Sequence, residues 1–465
     1  MALAMSLALG CGAQPKGTVY EPVRFEDGTE VDKEEPGLAA LLDADSLWTE
    51  KVVDGKDTLS IVRHASAFVR LRLDGFPTDA GIDRISLVPM EGEITVLPVT
   101  ISESGTFTLW TAKAPGNLPA TAAIAQGADG RFWSARLPAI DLRPGIAYRW
   151  TETLLAPDPQ GADLQARPLA QTLLDIEPGE FSGITHISGN RYAVVDDNLK
   201  GGGIVFFSIP IGPDGTVGRA VMQPADGTVN ADGKAQDCEG VAFVPSAGTL
   251  FVSTEKQEIR EYDLSGRATG KALRIPKDMG TDRIEANRGF ESLTYNDATG
   301  LFWTTTEAPL KKDTFLPRIL RLQSFTADGA PAQRYFYQTG EPLKSSKGTS
   351  SYVFGIPALA ALDDCRVLVL EREVFVPNGG FWNKFSDSFT KTDLYLVDPV
   401  HDTAGILRKA LLCSFRTGAL DLANYEGMCL GPTLPDGRRC LVLIADSQKG
   451  SGGLVQEYVK VILLR

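Results

Sequence analysis

The chain has 465 residues, enough for two domains with separate cores. Its hydrophobic content of 43% suits globular folding, and no stretch reaches the roughly 18 apolar residues of a membrane span. A net charge of -13, from 59 acids and 46 bases, argues against nucleic-acid binding and against a polybasic membrane contact.

In chain order, the first ten residues are apolar and stop at Cys11. A short apolar run closing on small residues before a cysteine resembles a bacterial lipoprotein signal, although the basic residues that usually open one are missing. Cleavage would leave a lipidated Cys11 as the only membrane attachment, placing the protein in the cell envelope, on the outer membrane or its periplasmic face. Residues 12–44, rich in Gly, Pro and charge, read as a tether. Residues 45–156 read as a β unit: Val69, Leu71 and Leu73 alternate with Arg70 and Arg72, as in a half-buried strand. Further strands are predicted near 84–89, 105–110 and 147–154. Residues 157–170, with Pro157 and Pro159, form the linker to a second domain over 171–465.

That second domain repeats itself. Five times, about every 50–70 residues, an apolar run opens next to a special residue and a second run closes on an acid. The openings are Phe181, Glu239, Glu291, Pro357 and Glu426, and the closings are Asp196 with Asp197, Glu255, Glu307, Glu371 and Asp446. Such spacing predicts an all-β fold, a β-propeller of five or possibly six blades behind the N-terminal β-sandwich. The segment from Arg167 to Leu174 is a candidate for closing the ring on the last blade.

Antiparallel pairing sets the start of one strand beside the end of the next, so Glu239 pairs with Glu255, Glu291 with Glu307, and Glu426 with Asp446. In a propeller these ends converge on one mouth, joined by Asp196 and Glu371. Two carboxylates at ~4 Å repel by ~4 kcal/mol at an effective dielectric of about 20, so protons, basic partners or a cation must offset the charge. Oxygen ligands without a Cys/His cluster favour calcium over magnesium. Lys256, Arg288, Lys311, Lys312, Arg372 and Lys449 lie close in sequence, and Arg288 and Arg372 are candidates to orient an anion. The competing view is that acids at strand ends accept local N–H bonds, or tie blades together through arginine.

Other chemistry is thin. There is no Gly-x-Ser-x-Gly elbow, and His64, His186 and His401 are the only histidines. His186 alone falls in an innermost-strand run. Beyond Cys11, the five cysteines Cys238, Cys365, Cys413, Cys429 and Cys440 lack metal spacing and read as free thiols. A disulfide from Cys413 to Cys429 or Cys440 is the alternative in an oxidising envelope. Gly201 to Gly203 read as a flexible loop. The aromatic, Gly-rich insertion from Phe375 to Phe385 either covers the mouth or packs on a blade edge.

The motifs Asp237-Cys-Glu239-Gly-Val, Asn287-Arg288-Gly-Phe-Glu291-Ser, Thr304-Thr-Thr-Glu307, Leu370-Glu371-Arg372 and Asn424-Tyr-Glu426-Gly-Met, with Ala445-Asp446-Ser, resemble the phytase-like propeller family, also called esterase-like activity of phytase. The resemblance spans about residues 172–465. It implies a β-propeller, usually extracytoplasmic, acting on phosphate esters or similar esters. The runs from Arg63 to Leu71 and from Leu142 to Tyr148 are similar to fimbrillin-like β-sandwich modules of Bacteroidetes envelope proteins, which implies a spacer or adhesive role.

The expectation is therefore a monomeric, envelope-anchored hydrolase cleaving an anionic small-molecule ester with help from calcium. Catalysis is assigned to Glu239, Glu291, Glu307, Arg288 and Arg372. Metal binding is assigned to Glu239, Glu255, Glu291, Glu307, Glu371, Glu426, Asp446 and Asp196. A non-catalytic propeller recognising glycan or protein and a lactonase-like hydrolase are the alternatives.

Overall fold

A computed structural model describes residues 17–54, 57–90, 92, 94–156, 161–176, 179–196, 203–223, 238–311, 313, 316–418, 420–447 and 456–465. The expectations for Cys11, Asp197, Gly201, Gly202, Lys312 and Lys449, and for part of the linker, fall outside these residues. Two compact units emerge, the first ending at Leu155 and the second running from Ala156 to Arg465 with Met90–Glu93 counted in it. Among the described residues no helix is long and apolar enough to cross a membrane.

The first unit is built from short sheets. Strand Ala67–Asp74 buries Val69, Leu71 and Leu73 and leaves Arg70 and Arg72 half-buried, so the alternation read in the sequence is realised. It pairs antiparallel with Phe107–Lys113 and parallel with Ile146–Thr153. A second sheet orders Phe132–Leu137, Thr121–Gln126, Arg84–Pro89 and Thr95–Pro98. Phe25, Leu38, Phe68 and Trp110 cluster in one core of this unit.

The second unit is a β-propeller whose described residues form five sheets. The innermost strands are Phe181–Ser188, Cys238–Val244, Ser292–Asn296, Thr349–Ala361 and Asn424–Thr433. Each packs beside the next, and the last packs beside the first. Within a sheet the chain runs outward through antiparallel neighbours. In the second sheet, Cys238–Val244 turns through Gly248, at φ +66, into Thr249–Thr254, a turn that favours a residue without Cβ.

A separate apolar layer fills each junction between sheets. Ala193, Val195 and Phe206 meet Val241, Leu250 and Val252, and Phe251 and Ile259 meet Phe290, Leu293 and Phe302. Trp303 and Leu322 meet Leu359 and Val369, and Leu368 and Leu370 meet Met428 and Leu443. The layer of Phe181, Ile184 and Val194 with Val442, Ile444 and Val461 completes the circuit. Closure also rests on backbone hydrogen bonding: Ala166–Pro168 and Thr172–Leu173 pair antiparallel with Tyr458–Leu464, so the segment flagged in the sequence does join the last sheet.

Near the axis the inner strands nearly touch. A Cβ on Gly240 would stand 2.6 Å from Ser253 Oγ and 2.8 Å from the Leu293 nitrogen of the next sheet. One on Gly427 would stand 2.9 Å from the Ser182 carbonyl oxygen. Glycine after the acid in Glu239-Gly240 and Glu426-Gly427 is thus a requirement of the close approach. Register shifts between Cys238 and Val241, and between Tyr425 and Gly427, put Glu239 and Glu426 on bulges, which re-aim a side chain out of the pleat.

Candidate active site

The paired ends do come together. Cys238 lies opposite Thr254, Ser292 opposite Thr305 and Asn424 opposite Asp446, which sets Glu239 by Glu255 and Glu291 near Glu307. Glu239, Glu255 and Glu291 each present a carboxylate oxygen within 4.8 Å of the others. Two of these residues come from the second sheet and one from the entry to the third, so the cluster sits on the junction between sheets.

Glu307 and Glu426 are paired with arginine. Glu307 receives Arg288 Nη1 at 2.9 Å and pairs through its other oxygen with Arg372 Nη2. Arg372 Nη1 donates to Asn424 Oδ1 at 2.6 Å and pairs with Glu426. One buried guanidinium therefore links the third, fourth and fifth sheets. Burial works against its charge, and Glu426 and Glu307 outweigh that and hold it protonated. Arg372 is 3% exposed and committed to these partners, so it is a positioning residue; the expectation that it contacts an anionic group is corrected. Arg288 is half-buried, with its side chain 26% exposed beside Glu307.

Arginine stands beside Glu307 and Glu426, and the carboxylates of Glu239, Glu255 and Glu291 crowd one another. Burial, then the charges of Glu239 and Glu307, raise the Glu291 carboxyl well above its ordinary range, and its hydrogen bond with Glu255 acts in the same direction. Glu426 is also raised by burial, with Arg372 pulling it back.

Glu371 lies apart from this set, which corrects its assignment as a rim ligand. It accepts Tyr337 O–H at 2.5 Å and Gly340 N–H at 2.8 Å, and pairs with Lys409. The cause is the period of the strand: successive side chains take opposite faces, so Arg372 toward the axis sends Glu371 into the junction between sheets. Asp196 and Asp446 are buried at 5% exposure outside the cluster of three. His186 donates from Nε2 to the Gly189 carbonyl at 2.8 Å, and burial lowers its pKa. Being at the hairpin end of its strand, it is remote from the acid ends. All five cysteines from Cys238 onward are free, so the alternative disulfide from Cys413 is not formed.

Several neighbours escaped the sequence reading. Glu457 accepts Gly179 N–H at 2.8 Å and Ser447 O–H at 2.5 Å. Burial pushes its carboxyl up to about 7, and the charge of Asp196 adds to this. Only chain tracing of the last sheet reveals it, because it opens a third strand and not a first or second. Gln257 lies buried in the turn after Glu255. The Phe375–Phe385 insertion belongs to a long hairpin: Gly355 pairs with Arg372 at the acid level, and both strands continue to Thr349 opposite Pro377. At ~3.3 Å per residue the extension stands roughly 17 Å beyond the acids. It brings Tyr352 near Arg288; burial and Glu373 push the phenol up to about 12, with Arg288 opposing them.

A ring of sheets whose strand ends gather carboxylates defines an acid-mouthed β-propeller. Residues 176–448 match the family described as Phytase-like, esterase-like activity of phytase, and the chain belongs to that family. No curated protein sequence matches it. Among solved structures it is similar to the WD40 β-propeller domain of Doa1, at 10% identity and TM-score 0.29, over 64% of this chain and 96% of that chain. It is also similar to streptogramin B lyase, at 13% identity and TM-score 0.27, over 65% of this chain and 98% of that chain.

Proposed function

We propose that this five-bladed propeller is a hydrolase that cleaves a phosphate ester, or a similar anionic ester, at the acidic mouth with help from a divalent cation. The single observation that carries the reading is the trio Glu239, Glu255 and Glu291, whose carboxylate oxygens lie within 4.8 Å of one another. Two oxygens bound to one calcium at ~2.4 Å stand at most about 4.8 Å apart, so an all-oxygen set with this spacing fits calcium. Mutual repulsion of roughly 3–4 kcal/mol per ionised pair, at an effective dielectric of about 20, favours taking up a cation or a proton.

A calcium ion held there would supply Lewis-acid polarisation of the ester and acidify water. The chain's own residues do the rest. Arg288 faces the mouth beside Glu307 and orients the anionic group of the substrate. Glu291, whose carboxyl is pushed well above its ordinary range by burial and by the charges of Glu239 and Glu307, is the side chain placed to exchange a proton. Arg372 holds Glu307 and Glu426 in place and prevents them from collapsing onto the trio. The long hairpin of the fourth sheet walls one side of the mouth and limits which esters enter. The first unit, read as a fimbrillin-like sandwich, would serve as a spacer above a lipid anchor at Cys11.

The test is turnover of phosphate monoesters and diesters by the purified protein with calcium and then with chelator. Chelator-sensitive hydrolysis that is lost in Glu291→Gln supports the reading. No metal-dependent turnover on either class would overturn the hydrolase. The alternative, a propeller that recognises glycan or protein and uses calcium only to stiffen its rim, rests on the same trio. It predicts that Glu291→Gln and Glu307→Gln lower ligand binding or thermal stability while no hydrolysis is found.

A further inference from the structure

We infer that Gln257 is a fourth ligand of the cation site, supplying a neutral carboxamide oxygen beside Glu239, Glu255 and Glu291; this rests on the reading of that trio as a cation site. Gln257 is 5% exposed, and neither its Oε1 nor its Nε2 has a hydrogen-bond partner among the described residues. Leaving a buried amide unpaired is costly, so the chain tolerates it for a reason outside its own fold. The side chain is also expensive to place. Its residue takes φ +59, in the left-handed region, at the end of a turn closed by Gln257 N–H to the Thr254 carbonyl at 2.9 Å.

That turn carries Glu255 two residues earlier and directs the carboxamide to the acids. A Cβ on Gly289 would lie 2.3 Å from Gln257 Nε2 and 3.0 Å from Glu255 Oε2, so the amide and the carboxylate flank one point. Only glycine at 289 leaves room for both. Gly289 N–H donates to Glu255 Oε1 at 3.4 Å, and Glu291 follows two residues later, which ties the same backbone to two of the three acids. Amide oxygen and nitrogen occupy nearly equal volumes, and a half-turn of the terminal amide points Oε1 at the acids. Calcium accepts carbonyl oxygens alongside carboxylates and needs six to eight oxygens in total, so three acids leave positions for a neutral ligand. A neutral fourth ligand adds coordination without a fourth repelling charge.

The experiment is calcium titration by calorimetry on the full chain, together with melting of the calcium-free protein, for wild type, Gln257→Leu and Gln257→Glu. Gln257→Leu should weaken calcium binding by at least about tenfold. Its calcium-free melting temperature should hold or rise, because two unpaired polar atoms are gone; a purely structural glutamine would give a fall. Gln257→Glu should bind calcium more tightly and melt lower without it, and it decides the matter if Gln257→Leu fails to fold. Wild-type calcium affinity in the variants would overturn the role of Gln257 and leave the trio standing. Absence of calcium binding in the wild type would overturn both.

Discussion

The acids at the mouth behave differently because their neighbours differ by single residues. Glu307 and Glu426 share Arg372, whereas Glu239, Glu255 and Glu291 share one another. Removing one partner of a buried pair is costly because the other charge stays behind unpaired, so Arg372 ties the third, fourth and fifth sheets together. Glu457 offers a clean measurement at this scale. Its ordinary value is 4.5, and in the fold burial lifts it to about 7. The folded state therefore keeps a proton that the unfolded chain releases, and stability is fully present below about 4.5 and falls as pH rises through about 7. The expected loss is roughly 2–3 kcal/mol across that window. Urea unfolding at a series of pH values should show this slope, and Glu457→Gln should flatten it; an unchanged slope in the variant would refute the assignment.

At the scale of the element, the inner strands explain why the repeat couples an acid to a glycine. The bulge turns Glu239 toward the mouth, and Gly240 lets the neighbouring strand approach at that same level. A methyl group at Gly240 meets Ser253 Oγ at 2.6 Å and backbone at 2.8 Å, and backbone yields less readily than a side-chain tip. Gly240→Ala should lower stability by about 1–3 kcal/mol in thermal or denaturant unfolding, from overpacking of this junction. A melting temperature equal to wild type would mean that the sheets separate without cost. The fourth sheet departs from its fellows for another reason. Among the described residues its strands of 13 and 11 residues outrun the others, and they carry side chains such as Tyr352 past the acids.

At the scale of the molecule, a ring of sheets is held by its junctions, and the one formed last joins distant parts of the chain. Leu169 N–H donates to the Val461 carbonyl at 2.9 Å in the strand that closes the last sheet. Leu169→Pro removes that donor and should cost about 1–3 kcal/mol, read as a lower melting temperature with the β-sheet circular-dichroism signal retained at low temperature. Stability equal to wild type would show that closure depends on side-chain packing alone. Five β-rich repeats, the pairing of Glu239 with Glu255, and the closing segment near Arg167 were all legible in the sequence, because strand period and turn residues are local properties. Which face each acid takes was not: Glu371 and Arg372 are adjacent in sequence and point to opposite sides of one strand. Nor was Gln257, whose carboxamide the fold sets beside Gly289 at the entry to the next sheet. The sequence by itself determined the repeat and the acids at its strand ends. That Arg372 reaches Glu307 and Glu426, and that Glu239, Glu255 and Glu291 cluster, came only from the tertiary structure, since both depend on distances across sheet junctions that no local pattern encodes.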